Sequence, residues 1–138
     1  PAVVWVLMGF GSVTFAARLG AGRKVVVGER PLAELSALAA GLDLFVAPYE
    51  DGLTLRRTGA MFGLAHGLPL VSSRGHLFDE ALASVAACAR DCGDFAWRLQ
   101  SLVQSAEARA ALAARAVAAR ELTTQDRMAD LIVGAFAA

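Results

Sequence analysis

Residues 42–73, LDLFVAPYEDGLTLRRTGAMFGLAHGLPLVSS, decide the fold. The apolar runs at 42–47 and 68–71 are typical of strands that are buried on both faces, as strands of parallel sheets are. A segment of helical length and pattern separates them, and its end is predicted at His66-Gly67, just before a proline that cannot continue a helix. The stretch therefore predicts a strand, a helix and a second parallel strand, which is the repeating unit of an α/β protein.

The same alternation extends in both directions along the chain. Residues 85–88 are compatible with a fifth strand or with part of a helix, because short alanine-rich runs do not discriminate between the two. The remaining predicted elements are strands at 3–8 and 24–27, a helix from Pro31 to Gly41, helices capped by Asp94 and by Ser105 and running to about residues 101 and 120, and a final helix at 123–134.

Composition excludes several classes of protein. The 138 residues carry 13 basic and 13 acidic side chains and are 57% hydrophobic, which argues against disorder and against a basic nucleic-acid-binding arm. The longest apolar stretches fall short of the ~18–20 residues that cross a bilayer, so no transmembrane segment is predicted. Cys88 and Cys92 stand one helical turn apart without further cysteines, which favours a reduced, cytoplasmic protein with no cysteine-bound metal. A membrane-peripheral location of the full-length protein is the alternative.

The loop after the strand at 42–47 carries an unusual charge pattern, PYEDGLTLRRTG. Thr54 is predicted to cap the next helix, which would place Arg56 and Arg57 in its first turn, where the helix dipole disfavours each cation by about 0.3–1 kcal/mol. A bound diphosphate would compensate, since free amides and guanidinium groups both favour an anion there. In the alternative interpretation, Glu50 and Asp51 pair with the arginines on a solvated surface.

Residues 35–73 also resemble the donor-binding half of retaining, family-4-type bacterial glycosyltransferases of the GT-B fold. Those enzymes show an "aaDvfvlPs" strand and an "alahGlPVvst" segment around a loop that opens a helix. The resemblance extends more loosely over residues 3–11, the turn at Gly28 and the helices at 99–120.

The resemblance implies a Rossmann-like α/β fold, a parallel sheet with helices on both faces, that forms one half of a GT-B enzyme. Residues 1–138 would be a single nucleotide-sugar-binding domain, with Pro1 at the cut edge of a longer chain and the N-terminal acceptor-binding domain missing. The expected reaction is metal-independent sugar transfer from a nucleotide-sugar substrate, without a cofactor and without nucleic acid as a partner. The isolated fragment is expected to be inactive.

The resemblance further implies a diphosphate at the start of the helix after Thr54. The family's two glutamates fall on Thr54 and Phe62, and neither is a glutamate; the loop instead resembles a bacterial branch that reads "PyeDGxSxRRxS". Arg56 or Arg57 would then substitute for the family's basic pair, and no catalytic residue is assigned. The expected donor-binding residues are Asp51, Gly52, Thr54, Arg56, Arg57 and Thr58.

Further candidate contacts to the nucleotide or sugar follow other predicted strands. Gly9 and Gly11 would let a nucleotide approach bare backbone, although a simple tight turn explains them as well. Glu29 would accept a hydrogen bond from a base or ribose, or is a surface acid, and His76 lies where the family places its donor sugar. The full set of these candidates is Gly9, Phe10, Gly11, Glu29, Glu50 and His76.

Two other functions stay open on the same fold. A nucleotide-sugar epimerase would need carboxylates and a histidine around the sugar, for which Glu29, Glu50, Asp51 and His76 are candidates. A non-catalytic α/β module that has lost its ligand would explain why both family glutamates are absent.

Overall fold

The computed structural model describes residues 2–118, which fall into two compact units that divide after Gly41. In the first unit, strand β1 (Val4–Met8) pairs in parallel with β2 (Arg23–Gly28). Helix α1 (Ser12–Arg18) packs on both strands, and helix α2 (Leu32–Ala39) follows β2. The Lys24 ammonium donates to the backbone oxygens of Ala16 and Leu19, at 3.2 and 2.7 Å, and so satisfies carbonyls at the end of α1.

The second unit is built on three parallel strands in the order β3 (Phe45–Ala47), β4 (Leu70–Ser73), β5 (Ala87–Ala89). Its helices are α3 (Thr58–Ala65), α4 (Cys92–Gln104) and α5 (Ala106–Ala118), and a short 3₁₀ turn, Glu80–Leu82, precedes β5. The α/β fold class with parallel, Rossmann-like strand pairing is therefore confirmed, with the strands paired in two sheets of two and three.

The core of the second unit lies on both faces of its sheet. Successive side chains of a strand point to opposite faces, so Leu70 and Val71 of β4 enter different clusters. Leu70 packs in one cluster with Leu64 of α3, and Val71 packs in the other with Leu102 of α4. Helices thus cover both faces of this sheet, which leaves the edge at the carboxyl ends of the strands to its loops.

Several predicted boundaries change in the structure. Of the two alternatives for residues 85–88, the strand is the one present: Ala87 and Cys88 belong to β5. Asp94 does not cap α4; Asp91 does, by accepting a 2.8 Å hydrogen bond from the Asp94 N–H, while the Asp94 carboxylate accepts from the Arg90 N–H at 3.0 Å. The two carboxylates therefore satisfy two backbone donors at one helix start. Ser105 caps α5 as predicted, through a 3.0 Å bond from the Ala108 N–H.

Two further predictions concern the last helix and the number of domains. The helix predicted at 123–134 lies outside the described residues, and a single domain over residues 1–138 stays a prediction. Within residues 2–118, none of the helices combines the length and apolarity needed to cross a bilayer.

Candidate functional site

Two loops at the carboxyl edge of the three-stranded sheet are joined through a pair of glycines. Gly52 has φ +102°, and a Cβ on it would lie 2.6 Å from the Gly75 nitrogen. A Cβ on Gly75 would lie 2.4 Å from the carbonyl carbon of Asp51. The Leu77 N–H also donates to the Asp51 oxygen at 2.8 Å. The loop after β3 and the loop after β4 therefore form one continuous block, which we call the glycine junction (residues 49–57 and 74–79).

Leu53 and Ser73 anchor this junction to the sheet. Leu53 is fully buried, its N–H donates to the Ser73 oxygen at 3.0 Å, and its oxygen accepts from the Asp79 N–H at 2.9 Å. The Ser73 hydroxyl accepts from the Tyr49 N–H at 2.7 Å and donates to the Tyr49 oxygen. Hydrogen bonds from the backbone and from the Ser73 hydroxyl thus hold the loop that carries the charged residues, and this loop keeps its side chains in defined positions.

Asp51 and Arg57 form an ion pair on the junction. The two side chains are 32% and 33% exposed, and the guanidinium lies 4.7 Å from the centre of the Tyr49 ring. This pairing is the one that the surface interpretation predicts for Asp51. Glu50 is exposed and has no ion pair with any residue in the range 2–118. The junction therefore orients Arg57 before any ligand is present.

The helix after this loop begins later than the sequence predicts, so Thr54 as its N-cap is wrong. Helix α3 starts at Thr58, with Arg57 at the N-cap position and no side-chain capping bond. The Thr54 hydroxyl accepts from the Arg56 N–H at 3.3 Å, and its carbonyl accepts from the Arg57 N–H at 3.0 Å. Thr54 thus stabilises a separate turn, and Arg56 and Arg57 precede the first helical turn instead of lying within it.

The start of α3 exposes backbone donors beside these arginines. The first N–H groups of a helix have no intrahelical acceptor, and here Thr58 and Gly59 are both exposed. The N–H of Ala60 is bonded to the Tyr49 hydroxyl; burial raises the pKa of that phenol above its ordinary value, although this bond and the Arg57 charge oppose the rise. The phenol therefore stays protonated at neutral pH. With the Ala60 N–H bonded to it, the N–H groups of Thr58 and Gly59 remain available to bind an anion.

The structure brings most of the predicted donor-binding residues to this place. Asp51 and Gly52 lie in the junction, Thr54 forms its turn, and Arg57 and Thr58 begin the helix. The Arg56 side chain is exposed and forms no ion pair with the described part of the chain. His76 lies exposed in the loop after β4, which belongs to the same junction.

The predicted contacts of the first unit meet in a separate cleft of about 340 Å³. It lies at the carboxyl ends of β1 and β2, and its walls include Gly9, Phe10, Gly11 and Glu29. Gly9 and Gly11 have φ +86° and +78°, and no atom lies within 4 Å of a Cβ built on either. Backbone conformation rather than crowding therefore requires glycine there. The Phe10 ring is 94% exposed and is free to stack on a flat ligand.

Sequence reasoning missed the residues that build the junction, namely Tyr49, Ser73 and Gly75. The sequence indicated these residues only weakly, through their position: each stands in a loop or strand end at the carboxyl edge of a parallel sheet, where ligands bind in this class of fold. Among the described residues, no group of three or more histidine, cysteine or acidic side chains is arranged to hold a metal ion.

No family model, curated protein or solved structure matches this chain. The resemblance to GT-B glycosyltransferases therefore stays a prediction.

Proposed function

We propose that the chain binds a nucleotide-diphosphate sugar, as the donor-binding half of a GT-B-type glycosyltransferase, with the diphosphate at the start of α3. The proposal rests on the N-terminus of α3, where Thr58 and Gly59 are exposed. Two arginines of the glycine junction, Arg56 and Arg57, directly precede them. Backbone N–H groups, the positive end of the helix dipole and two guanidinium groups all favour an anion at that position.

Each residue has a distinct part in the proposed binding. Arg56, which has no acidic partner among residues 2–118, supplies the main cationic contact to the diphosphate. Arg57, held by Asp51 and by the Tyr49 ring, supplies an oriented second contact. Gly59 is exposed and has no side chain of its own to cover its amide; a Cβ there would meet only the Tyr49 hydroxyl, at 3.5 Å. Together they would neutralise the diphosphate as it leaves the sugar, without a metal.

The proposed sugar transfer also needs an acceptor-binding domain, which the resemblance implies and residues 2–118 do not provide. Donor binding is therefore the part of the activity that this chain can be tested for. The Asp51–Arg57 ion pair favours a second candidate, a non-catalytic α/β module, because Arg57 already has a counter-charge. Binding measurements separate the two candidates.

The test is thermal unfolding of the chain with UDP, GDP or ADP, and with the matching nucleosides, at constant ionic strength. A ligand at ~100 times its Kd adds ~2.7 kcal/mol to the free energy of unfolding, which moves the midpoint by several degrees. We expect one diphosphate to produce this shift. If no diphosphate does so, donor binding is refuted and the non-catalytic module is supported.

A pair of variants locates the site. Arg56→Ala should weaken diphosphate binding by about ten-fold or more, because a charge-assisted contact is lost, and should leave nucleoside binding unchanged. Arg115→Ala is the matched control, since Arg115 is also exposed and lies on α5. Equal diphosphate affinities of the two variants would contradict a diphosphate at the start of α3.

A further inference from the structure

A second cleft, of about 390 Å³, lies in the three-stranded unit at the carboxyl ends of β4 and β5. Arg74 also belongs to the glycine junction, but none of the wall residues is among the proposed diphosphate contacts at the start of α3. Arg74 directly follows β4, Arg90 directly follows β5, and Arg98 lies on α4. The walls are formed by Arg74, Ala83, Ala86, Cys88, Arg90 and Arg98.

Packing and ion pairing fix the position of Arg74. Its N–H donates to the Ala89 oxygen at 2.7 Å, which ties the ends of β4 and β5 together. Its guanidinium stacks on Phe78, 4.4 Å from the ring centre, and donates to the Glu80 carboxylate at 3.2 Å. Glu80 accepts from one guanidinium nitrogen of Arg74, Nη1, so the remaining N–H groups of Arg74 stay available to a ligand.

Arg90 and Arg98 share a single carboxylate, that of Asp94. Arg98 donates to it at 2.8 Å and is 30% exposed, whereas the Arg90 guanidinium stands 3.9 Å away and is 79% exposed. The hydrogen bond from the Arg90 N–H, together with Arg98, holds the pKa of Asp94 below its ordinary value. One negative charge thus faces two positive ones, and most donors of Arg90 have no protein acceptor among the described residues.

The remaining walls are small and uncharged. Ala83 and Ala86 leave open space beside the guanidinium groups. Cys88 is 6% exposed, and burial raises the pKa of its thiol to about 11, so it is neutral at physiological pH. Within the described part of the chain, the only charged side chains that line this cleft are therefore the three arginines.

We propose that this cleft binds the phosphate group of a small phosphorylated molecule, held by Arg74, Arg90 and Arg98. A phosphate monoester carries up to two negative charges on three terminal oxygens, and so it can accept from several guanidinium groups at once. A carboxylate offers two oxygens and one charge, which a single bidentate arginine satisfies. The volume leaves room for the body of the molecule beside the alanines, because sites for small molecules begin near ~300 Å³.

Cys88 provides a local readout, since it lies in the wall of the cleft. The Cys92→Ser variant removes the other cysteine of the chain, which is exposed, and leaves Cys88 as the only thiol. Alkylation of Cys88 by uncharged iodoacetamide is followed at about pH 9, because the thiolate is the reacting form and its fraction is negligible at neutral pH; glycerol phosphate, inorganic phosphate, succinate or chloride is added at equal ionic strength. We expect glycerol phosphate to slow alkylation about five-fold or more and succinate to have little effect.

Three variants in the Cys92→Ser background complete the test. Arg90→Gln, at a largely exposed side chain, should raise the glycerol phosphate concentration needed for protection by about ten-fold, because it removes a charge-assisted contact. Arg115→Gln should leave that concentration unchanged. Arg56→Ala should also leave it unchanged, which separates this cleft from the diphosphate site.

Four results would overturn the proposal: no protection by either phosphate, equal protection by succinate, equal behaviour of Arg90→Gln and Arg115→Gln, or loss of protection in Arg56→Ala. The proposal is independent of the proposed sugar transfer. Protection of Cys88 without any nucleotide response would support the cleft and refute donor binding, and the reverse pattern would do the opposite.

Discussion

Replacing Gly75 by alanine tests the glycine junction directly. A Cβ at this position would lie 2.4 Å from the carbonyl carbon of Asp51, 2.6 Å from its oxygen and 2.7 Å from the oxygen of Glu50. Ordinary van der Waals contact begins at 3.4 Å, so the two loops have to move apart by about 1 Å. All three atoms belong to the backbone, so no side chain can rotate away to make room.

The expected cost follows from this displacement. Forcing a methyl group into a filled space costs about 1–3 kcal/mol. Separation of the loops also breaks the 2.8 Å hydrogen bond from the Leu77 N–H to the Asp51 oxygen, and a hydrogen bond of this kind contributes about 1 kcal/mol. We expect Gly75→Ala to lower the free energy of unfolding by about 2–4 kcal/mol, which corresponds to about 7–14 °C in the midpoint for a chain of this length.

Gly59→Ala is the matched control for this experiment. A Cβ on Gly59 meets only the Tyr49 hydroxyl, at 3.5 Å, and the residue lies in α3, where alanine is the better helix former by up to about 1 kcal/mol. Thermal unfolding followed by circular dichroism compares both variants with the unmodified chain. A Gly75→Ala midpoint equal to or above that of Gly59→Ala would refute the close approach of the two loops.

Three further predictions concern the stability of the second unit. Leu53→Ala should lower the free energy of unfolding in urea by about 2–5 kcal/mol at an unchanged m value, because Leu53 is fully buried. Asp91→Ala should cost about 0.5–2 kcal/mol through loss of the α4 cap, whereas Asp91→Asn, which retains an acceptor, should cost less by the same measurement. Burial raises the pKa of Cys88 from 9.0 to about 11, so the unfolded chain loses this proton first and the free energy of unfolding should fall as pH rises across that range. The Cys88→Ala variant should show a smaller fall, and equal slopes of the two proteins would contradict the buried thiol.

The alternation of strands and helices could be predicted from the sequence because it depends on runs of apolar residues. The runs predicted at 24–27 and 68–71 overlap β2 and β4. The helix predicted from Pro31 to Gly41 is present as α2, which begins one residue later, at Leu32, with Pro31 at its N-cap. Residues 85–88 were ambiguous because alanine and cysteine suit either element. Pairing with β4 selects the strand, and this pairing depends on residues distant in the chain.

The start of α3 could not be predicted from local signals alone. Thr54 is a favoured N-cap residue, yet its hydroxyl bonds to the Arg56 N–H in a turn. The preceding residue, Leu53, is tied by its backbone to Ser73 and Asp79, and these contacts direct the loop before the helix begins. Likewise, Asp91 and Asp94 are equally good caps by type, and only the fold shows which one precedes the first turn.

The candidate sites could be predicted only where their residues lie close together in the chain. Charged residues close together in the chain, such as Asp51 and Arg57, could be grouped from the sequence. Arg74, Arg90 and Arg98 come together only because β4 and β5 are neighbours and α4 returns beside them. Spacing along the chain gives no indication of such a cluster.

The central position of β4 makes this strand a remote reporter of both proposed sites. Leu70, Val71 and Ser72 are fully buried, and the strand has a parallel neighbour on each side. Amide hydrogens in such a strand exchange with deuterium only when the surrounding structure opens cooperatively. A ligand held at the start of α3 or in the arginine-lined cleft would therefore slow isotope exchange in β4 without contacting it, so one peptide of the chain records occupancy at either place.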